Sequence, residues 1–370
     1  MWIERNLRFD LWTLLAVISL TGIGIVMIYS TSSITAEQIF HAESTFFLKK
    51  QLFSVLLGMV AMALAMHLNY EKLRLFVGPL LLLSLLLLIA VLIPGIGVEI
   101  KGSRRWLRLA GFSFQPSELA RLALVLYLAH SLTRKQDLIK SFTYGVLPYL
   151  LISGLMIGLI FVEPDMGGAV TLGLIVLVML FAAGTRLSYL MGLVALSVPA
   201  VFYFMASAEY RWRRVKATIN PWDYWHDAGW QLVQSLLAFG SGGIWGVGLG
   251  KGRQKLFYLP DAHTDFILSV IGEELGLIGV CAVVVLFMLI AVRGVTIALR
   301  ASTPFGTFLA FGLTTMIVLP ALINMAVVMG ILPTKGLVLP FVSYGGTALI
   351  IYLIAAGILL NVSAKMYRTR

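Results

Sequence analysis

What most constrains this chain is a succession of charge-free apolar stretches, each long enough to cross a bilayer. A spanning helix needs about 20 mostly apolar residues. Stretches of that kind run 11–29, 51–70, 75–93, 141–162, 166–185 and 187–208, and two longer ones, 301–334 and 336–364, each hold a span plus loop. A further span begins near His263 and continues through the uncharged run 275–292, with three acids in its first half. Segment 117–133, interrupted at its start by Glu118 and Arg121, makes ten and separates two hydrophilic stretches that otherwise cannot be placed consistently. Only 12% of the residues are charged, against about a quarter in soluble domains. That excludes a cytosolic enzyme, a secreted domain and a disordered scaffold. Arg5 and Arg8 resemble the start of a signal peptide, but the apolar region is too long and no small-residue cleavage site follows, so the first span reads as an uncleaved anchor. The expectation is an all-α integral membrane protein of ten transmembrane helices, one unit over 1–370.

Orientation follows from the Lys and Arg of the connections. With the N-terminus inside, thirteen lie on the inner side and seven on the outer once the long loop 209–262 is left out. Both termini are therefore expected in the cytoplasm, with loops 94–117 and 209–262 outside, the larger between helices 7 and 8.

Eleven cations then crowd the face that should be poor in them. They are Lys101, Arg104, Arg105 and Arg108 in the first loop, and Arg211, Arg213, Arg214, Lys216, Lys251, Arg253 and Lys255 in the second. They either anchor the loops to lipid headgroups or receive an anionic ligand. Six of the eight tryptophans share those loops. They read as an interface belt or as partners for a ligand with both phosphate and sugar. The net charge of +11 is scattered among apolar runs, which is no nucleic-acid footprint. The one cysteine, Cys281, forms no intrachain disulfide, and no Cys/His cluster suggests a zinc site.

Ionisable groups inside spans are expensive and raise functional hypotheses. Pro260 suits a helix start, with Asp261 in the first turn. Continued as a helix, Asp265, Ser269 and Glu273 fall on one face, with Glu273 roughly 12 Å deeper than Asp265. Asp265 is then a rim carboxylate placed to act as a general base, or alternatively a helix cap or ion-pair partner. Glu273 and Glu274 read as interhelical hydrogen-bond partners. His263 is a proton shuttle or a hydrogen-bonding interface residue. Glu118 and Arg121, three apart, pair across a helix turn and line a cavity. Glu163-Pro164-Asp165 is an outer turn whose acids cap the next helix or coordinate a cation. The glycines of 240–243 and 246–250 supply flexibility to the large loop and lack the strand–turn–helix context of a nucleotide cradle. Ser343-Tyr-Gly-Gly346 opens the last span with small residues that permit close packing.

Together these stretches resemble the SEDS family of shape, elongation, division and sporulation proteins. The resemblance rests on Lys101-Gly-Ser-Arg-Arg-Trp-Leu107, Phe114-Gln-Pro-Ser-Glu118, Glu163-Pro-Asp-Met-Gly167, Gly240-Ser-Gly-Gly243, Tyr258 to Phe266, Gly272-Glu-Glu-Leu-Gly276 and Pro340 to Gly346. It implies a peptidoglycan glycosyltransferase of the bacterial cytoplasmic membrane. Such an enzyme polymerises lipid II on the outer face and releases undecaprenyl pyrophosphate. It also implies a class B penicillin-binding protein as partner, among other divisome or elongasome membrane proteins. The family's essential acid falls on Asp265 and its buried acid/cation pair on Glu118 and Arg121, where lysine is the commoner cation. Glu163 stands where a glutamine is expected. Arg253 to Pro260 and Leu332-Pro-Thr-Lys-Gly336 are similar to division-type members, which points to the septum.

On this reading Asp265 takes the proton of the acceptor's 4-hydroxyl. Arg105, Arg253 and Lys255 stabilise the leaving pyrophosphate, with Arg121 reaching it through the cavity and a divalent cation (Mg or Mn) assisting. Asp165, Glu118, His263 and Ser343 complete the expected substrate site. An elongation-type polymerase, a lipid II flippase and a non-catalytic scaffold are the alternatives.

Overall fold

The computed structural model describes residues 9–38, 43–100, 102–109, 112–256 and 258–368. Arg5, Arg8, Lys101 and Arg370 of the charge argument lie outside them. Three helices come first, α1 (Leu11–Gln38), α2 (Phe46–His67) and α3 (Leu73–Leu92). After a small sheet, α4 (Pro116–Arg134), α5 (Leu147–Val162), α6 (Met166–Ala182) and α7 (Leu187–Ala206) follow. Two short helices, α8 (Glu209–Ile219) and α9 (Trp230–Gly242), lead to α10 (Ile267–Leu299), α11 (Pro304–Val328) and α12 (Gly346–Arg368).

Eight helical segments of the described residues are long and apolar enough to cross a membrane: α1, α2, α3, α5 together with the helical turn Phe142–Val146 that leads into it, α7, α10, α11 and α12. The apolar α6 has only 17 residues. The helix α4 is the weak span of the sequence, and its surroundings explain why. It buries 14 of its 19 residues among other helices, Glu118 and Arg121 included, so its hydrophobicity need not match that of lipid. Pro116 at its first turn and Arg134 in its last suit the two helix ends. By contrast only 6% of the apolar window of α7 is buried, which leaves that helix facing outward nearly all round.

The all-α expectation needs correction. Within loop 94–117 an antiparallel meander forms from β1 (Gly97–Ile100), β2 (Ser103–Leu109) and β3 (Phe112–Phe114), turning at Gly102, whose φ is +75°. The pairing of β1 with β2 slips by one residue between Val98 and Glu99 and leaves Arg105 as the extra residue of a bulge. Arg104, opposite Glu99 in the register, pairs with it at 3.2 Å. Loop 209–262 likewise is structured. On α8, Arg211 and Arg214 share a face with the buried Ala217, while Arg213 turns away to pair with Glu209 and Asp227.

A second correction concerns α10, which starts at Ile267 and not near Pro260. Residues 261–266 are turns, with Asp261 at φ +56°. Asp265 therefore precedes the helix and does not share a helical face with Ser269 and Glu273. The helix is also broken, at Gly276 (φ 66°, ψ −165°). Residues 243–248 insert against the break and satisfy the backbone it exposes. Val247 and Gly248 N–H donate to the carbonyls of Glu273 and Glu274 at 3.0 and 3.1 Å, and Leu277 N–H donates to Gly243 O at 2.9 Å. Non-helical backbone at such depth is tolerated only where protein buries it. The loop glycines thus serve close approach more than flexibility. A Cβ on Gly246 would stand 2.2 Å from Glu274 O, and one on Gly242 would stand 1.9 Å from Gly272 O.

Candidate active site

Two acids at the break hold the inserted loop. Glu273 accepts from Arg253 N–H at 2.7 Å and from Gln254 N–H. Glu274 accepts from Lys255 Nζ at 2.7 Å, from the Ser30 hydroxyl and from Gly250 N–H. Glu273 and Glu274 are hydrogen-bond acceptors as expected, although their partners are mainly this loop and only Ser30 belongs to another spanning helix. Lys255 lies buried in an ion pair, so it is not one of the cations exposed to an outer ligand. Arg253 is exposed and lines neither of the cavities described below.

The turn before α10 is sewn to the connection between α11 and α12. Asn324 Nδ2 of α11 donates to Asp265 O at 2.8 Å and to Leu337 O at 2.6 Å. The Ser343 hydroxyl donates to Thr264 O at 2.5 Å and accepts from Leu339 N–H, and Tyr344 N–H donates to His263 O. The His263 ring packs against Phe47 and Tyr344 at 5.2 and 5.8 Å. Ser343 and His263 thereby fix the turn that carries Asp265. The Asp265 carboxylate rests against Gly336, where a Cβ would stand 2.9 Å from Oδ2.

Gly336 lines a cavity of about 410 Å³, which puts Asp265 behind its wall. From β2 come Ser103 and Arg105, from the α5–α6 turn Asp165, from α8 Arg211 and Arg214, and beside Gly336 stand Thr334 and Lys335. Asp165 is the one acid among the lining residues. It caps α6 by accepting from Gly168 N–H at 3.0 Å, as the turn reading allowed, and meets Arg105 at 3.4 Å. Arg105 also donates to Ser103 Oγ and Pro164 O. Arg214 donates to Thr334 O, and Arg211 stacks on Phe204 at 3.7 Å. Burial pushes the Lys335 ammonium down to about 8; Asp165 opposes that drop, and Arg211 and Arg214 add to it. Arg105 Nε and Thr334 Oγ1 are buried with no hydrogen-bond partner in the protein, a state native sites resolve with a ligand or water. Four cations against one carboxylate, with unused donors, make an anion receiver. A second cavity of about 560 Å³ adjoins it through Tyr210 and Arg214.

Glu118 and Arg121 pair as the spacing predicts, at 3.0 Å, and Arg121 also donates to the Tyr352 hydroxyl at 2.7 Å. Neither lines the two cavities, although the charge of Asp165 acts on both. Sequence reasoning did not single out Arg211, Arg214 and Lys335 as site residues. The spacing of the first two marks one helical face, and Lys335 is the lone charge between the stretches 301–334 and 336–364.

A family model described as cell cycle protein, covering FtsW, RodA and SpoVE, matches residues 11–368. The chain belongs to this family. A probable peptidoglycan glycosyltransferase FtsW of Geobacter metallireducens is 50% identical over 362 residues, 98% of this chain and 96% of the relative. Stage V sporulation protein E of Bacillus subtilis is 41% identical over 355 residues, 96% of each chain. Among solved structures of the FtsW/RodA/SpoVE family, the rod shape determining protein RodA of Thermus thermophilus superposes with a TM-score of 0.72 at 30% identity, over 98% of this chain and 99% of that one. A chain of a peptidoglycan synthase complex that coordinates polymerization and crosslinking superposes with a TM-score of 0.78 at 28% identity, over 98% and 99%.

Proposed function

We propose that this chain is a division-type peptidoglycan glycosyltransferase, polymerising lipid II on the outer face of the bacterial cytoplasmic membrane, at the septum. The 50% identity to FtsW proteins over nearly the whole chain supports the activity and the division type. On this reading 1–370 is one unit of ten spans, α4 and α6 included. Both termini are cytoplasmic and loops 94–117 and 209–262 lie outside. The cation-lined cavity then opens on the outer side.

One observation carries the mechanism: the Asp265 carboxylate rests on Gly336, in the wall of a cavity whose other charged groups are mostly cations. Asp265 accepts the proton of the acceptor's 4-hydroxyl as its oxygen attacks the donor's anomeric carbon. The bond from that carbon to the pyrophosphate breaks, and the pyrophosphate leaves with the electron pair. Arg105, Arg211, Arg214 and Lys335 face the charge that builds there, where fixed cations lower the barrier most. This assignment replaces the one resting on Arg253 and Lys255.

Among the described residues no group of three or more acids, histidines or cysteines forms a metal cage. A Mg²⁺ fits only in the manner usual for that ion, on one carboxylate plus substrate phosphates, and Asp165 is the residue to hold it. When bound it would neutralise pyrophosphate charge.

Partners on this reading are lipid II, a class B penicillin-binding protein, and other divisome membrane proteins. The peptidoglycan synthase complex among the structural relatives supports the second. A flippase is the competing function, favoured by the broken α10, since interrupted helices are common in transporters. Purified protein given lipid II without an ion gradient, with and without the partner, separates them. Glycan chains are expected. Lipid movement across vesicles without any polymer would refute the polymerase.

A further inference from the structure

The helix α8 carries five charged groups and faces two ways. Arg211 and Arg214 line the anion cavity on one side, and Ala217 beside them is buried. Arg213 is taken up by Glu209 and Asp227. On the other side Trp212, Lys216 and Ile219, at i, i+4 and i+7, form a stripe. Lys216 is exposed, and no ion pair among the described residues includes it. Ile219 is 77% exposed, and just beyond the helix Trp222 and Trp225 are exposed as well.

This stripe continues the surface of a spanning helix. Arg211 fastens α8 to the end of α7 by donating to Phe204 O at 3.0 Å, and the Trp212 ring meets Phe202 edge-on, with centroids 5.5 Å apart. Phe202 is itself exposed, on a helix that faces outward nearly all round and ends at Ala206. The outward surface of such a helix is covered by lipid, and its last turn lies where hydrocarbon gives way to headgroups. Tryptophan is enriched at that level, and a lysine stem lies along acyl carbon while its ammonium reaches phosphate. In water Ile219, Trp222 and Trp225 would be an apolar patch with nothing to cover it. Apolar side chains on one helix face with a lysine among them are the pattern of a helix seated in the interface.

We propose that the outward stripe of α8, with Trp222 and Trp225 beyond it, is a docking surface for anionic phospholipid headgroups, which Lys216 recognises by charge while Trp212 and Ile219 insert beside them. Two observations favour lipid over a protein partner. The stripe is continuous with the outward side of α7 through Trp212 and Phe202, and its one charged group is a cation, complementary to a phosphate. The helix α8 is then a partition with the leaflet on one side and the cavity on the other. A headgroup that holds α8 down also holds Arg211 and Arg214 at the cavity. The surface does not depend on what the cavity binds, so it stands or falls apart from the polymerase reading.

The test is hydrogen exchange of residues 209–219, read by mass spectrometry on the full chain in nanodiscs. One set of discs holds phosphatidylcholine alone, the other an equal mixture with phosphatidylglycerol. A lysine near an anionic leaflet shifts an equilibrium about fivefold, so wild-type α8 should exchange about fivefold more slowly in the mixture. Lys216→Gln should exchange at one rate in both lipids. About 1 M salt, which screens the attraction, should abolish the wild-type difference. Ile219→Ser should exchange faster in both lipids yet keep the wild-type ratio between them, because insertion does not depend on headgroup charge. Equal wild-type exchange in the two lipids would overturn the proposal, and so would a lipid difference that survives Lys216→Gln. Protection of α8 that appears only when the class B partner is added, whatever the lipid, would assign the stripe to a protein and overturn the lipid surface.

Discussion

The carboxylate of Asp265 lies against Gly336 so closely that a methyl group there would stand 2.9 Å from Oδ2. The two residues belong to different connections, the turn before α10 and the one between α11 and α12. Their contact is what holds a carboxylate behind the wall of a cavity whose charged lining is mostly cationic. Gly336→Ala should push the carboxylate out of place while leaving the helices intact. Since a displacement of about 1 Å can cost about 100-fold in rate, kcat should fall about that much with normal membrane yield. An unchanged kcat would show that the contact does not position the base.

Lys335 gives the site a pH dependence of definite sign. Its ammonium, held down to about 8 by burial, is charged below that pH and neutral above it. Affinity for an anionic substrate should therefore be full on the acid side and fall as pH rises through 8. Lys335→Arg keeps the charge at all accessible pH values, so the rise of KM for lipid II on the alkaline side should become shallower. Measuring KM against pH for both proteins tests this. Identical profiles would exclude Lys335 as a contributor.

The buried Lys255–Glu274 pair is a structural clamp. Breaking such a pair from one side strands a charge, at a cost of about 3–5 kcal/mol. Lys255→Met should lower thermal stability in detergent strongly, whereas Arg253→Met, at an exposed residue, should leave it nearly unchanged. Equal melting temperatures for all three proteins would contradict the clamp.

Gly246 tests the inserted loop. Its φ of +79° and the Glu274 carbonyl 2.2 Å from a Cβ position leave no room for a side chain. Gly246→Ala should destabilise the α10 break, seen as faster hydrogen exchange at Val247 and Gly248. Exchange unchanged from wild type would mean that the loop does not dock there.

Much of this was legible in the residues because membrane insertion imposes a coarse grammar. Apolar runs mark helices, and a buried acid beside a cation three residues away marks a pair, as Glu118 and Arg121 bear out. The sheet around Arg105 was hidden because three short strands, holding one another in a loop, show no long apolar alternation. Lys255 was misjudged because loop cations look alike in sequence. Which of them turns inward depends on Glu274, whose place is fixed only when α10 breaks at Gly276. The spacing of Asp265, Ser269 and Glu273 reads as one helix face, yet Asp265 precedes α10. The apolar run that defines α10 does not reveal that its first turn is replaced by turns tied to Asn324 and Ser343.

If Asp265 is the general base of a lipid II polymerase, glycan synthesis depends on its carboxylate. The most direct measurement is polymerisation by purified Asp265→Asn, with its class B partner present and Tm and partner binding recorded on the same preparation. Wild-type Tm and wild-type partner binding are expected, with glycan synthesis lost by at least about 100-fold, the scale of a general-base contribution. Full polymerisation by a folded Asp265→Asn protein would contradict it.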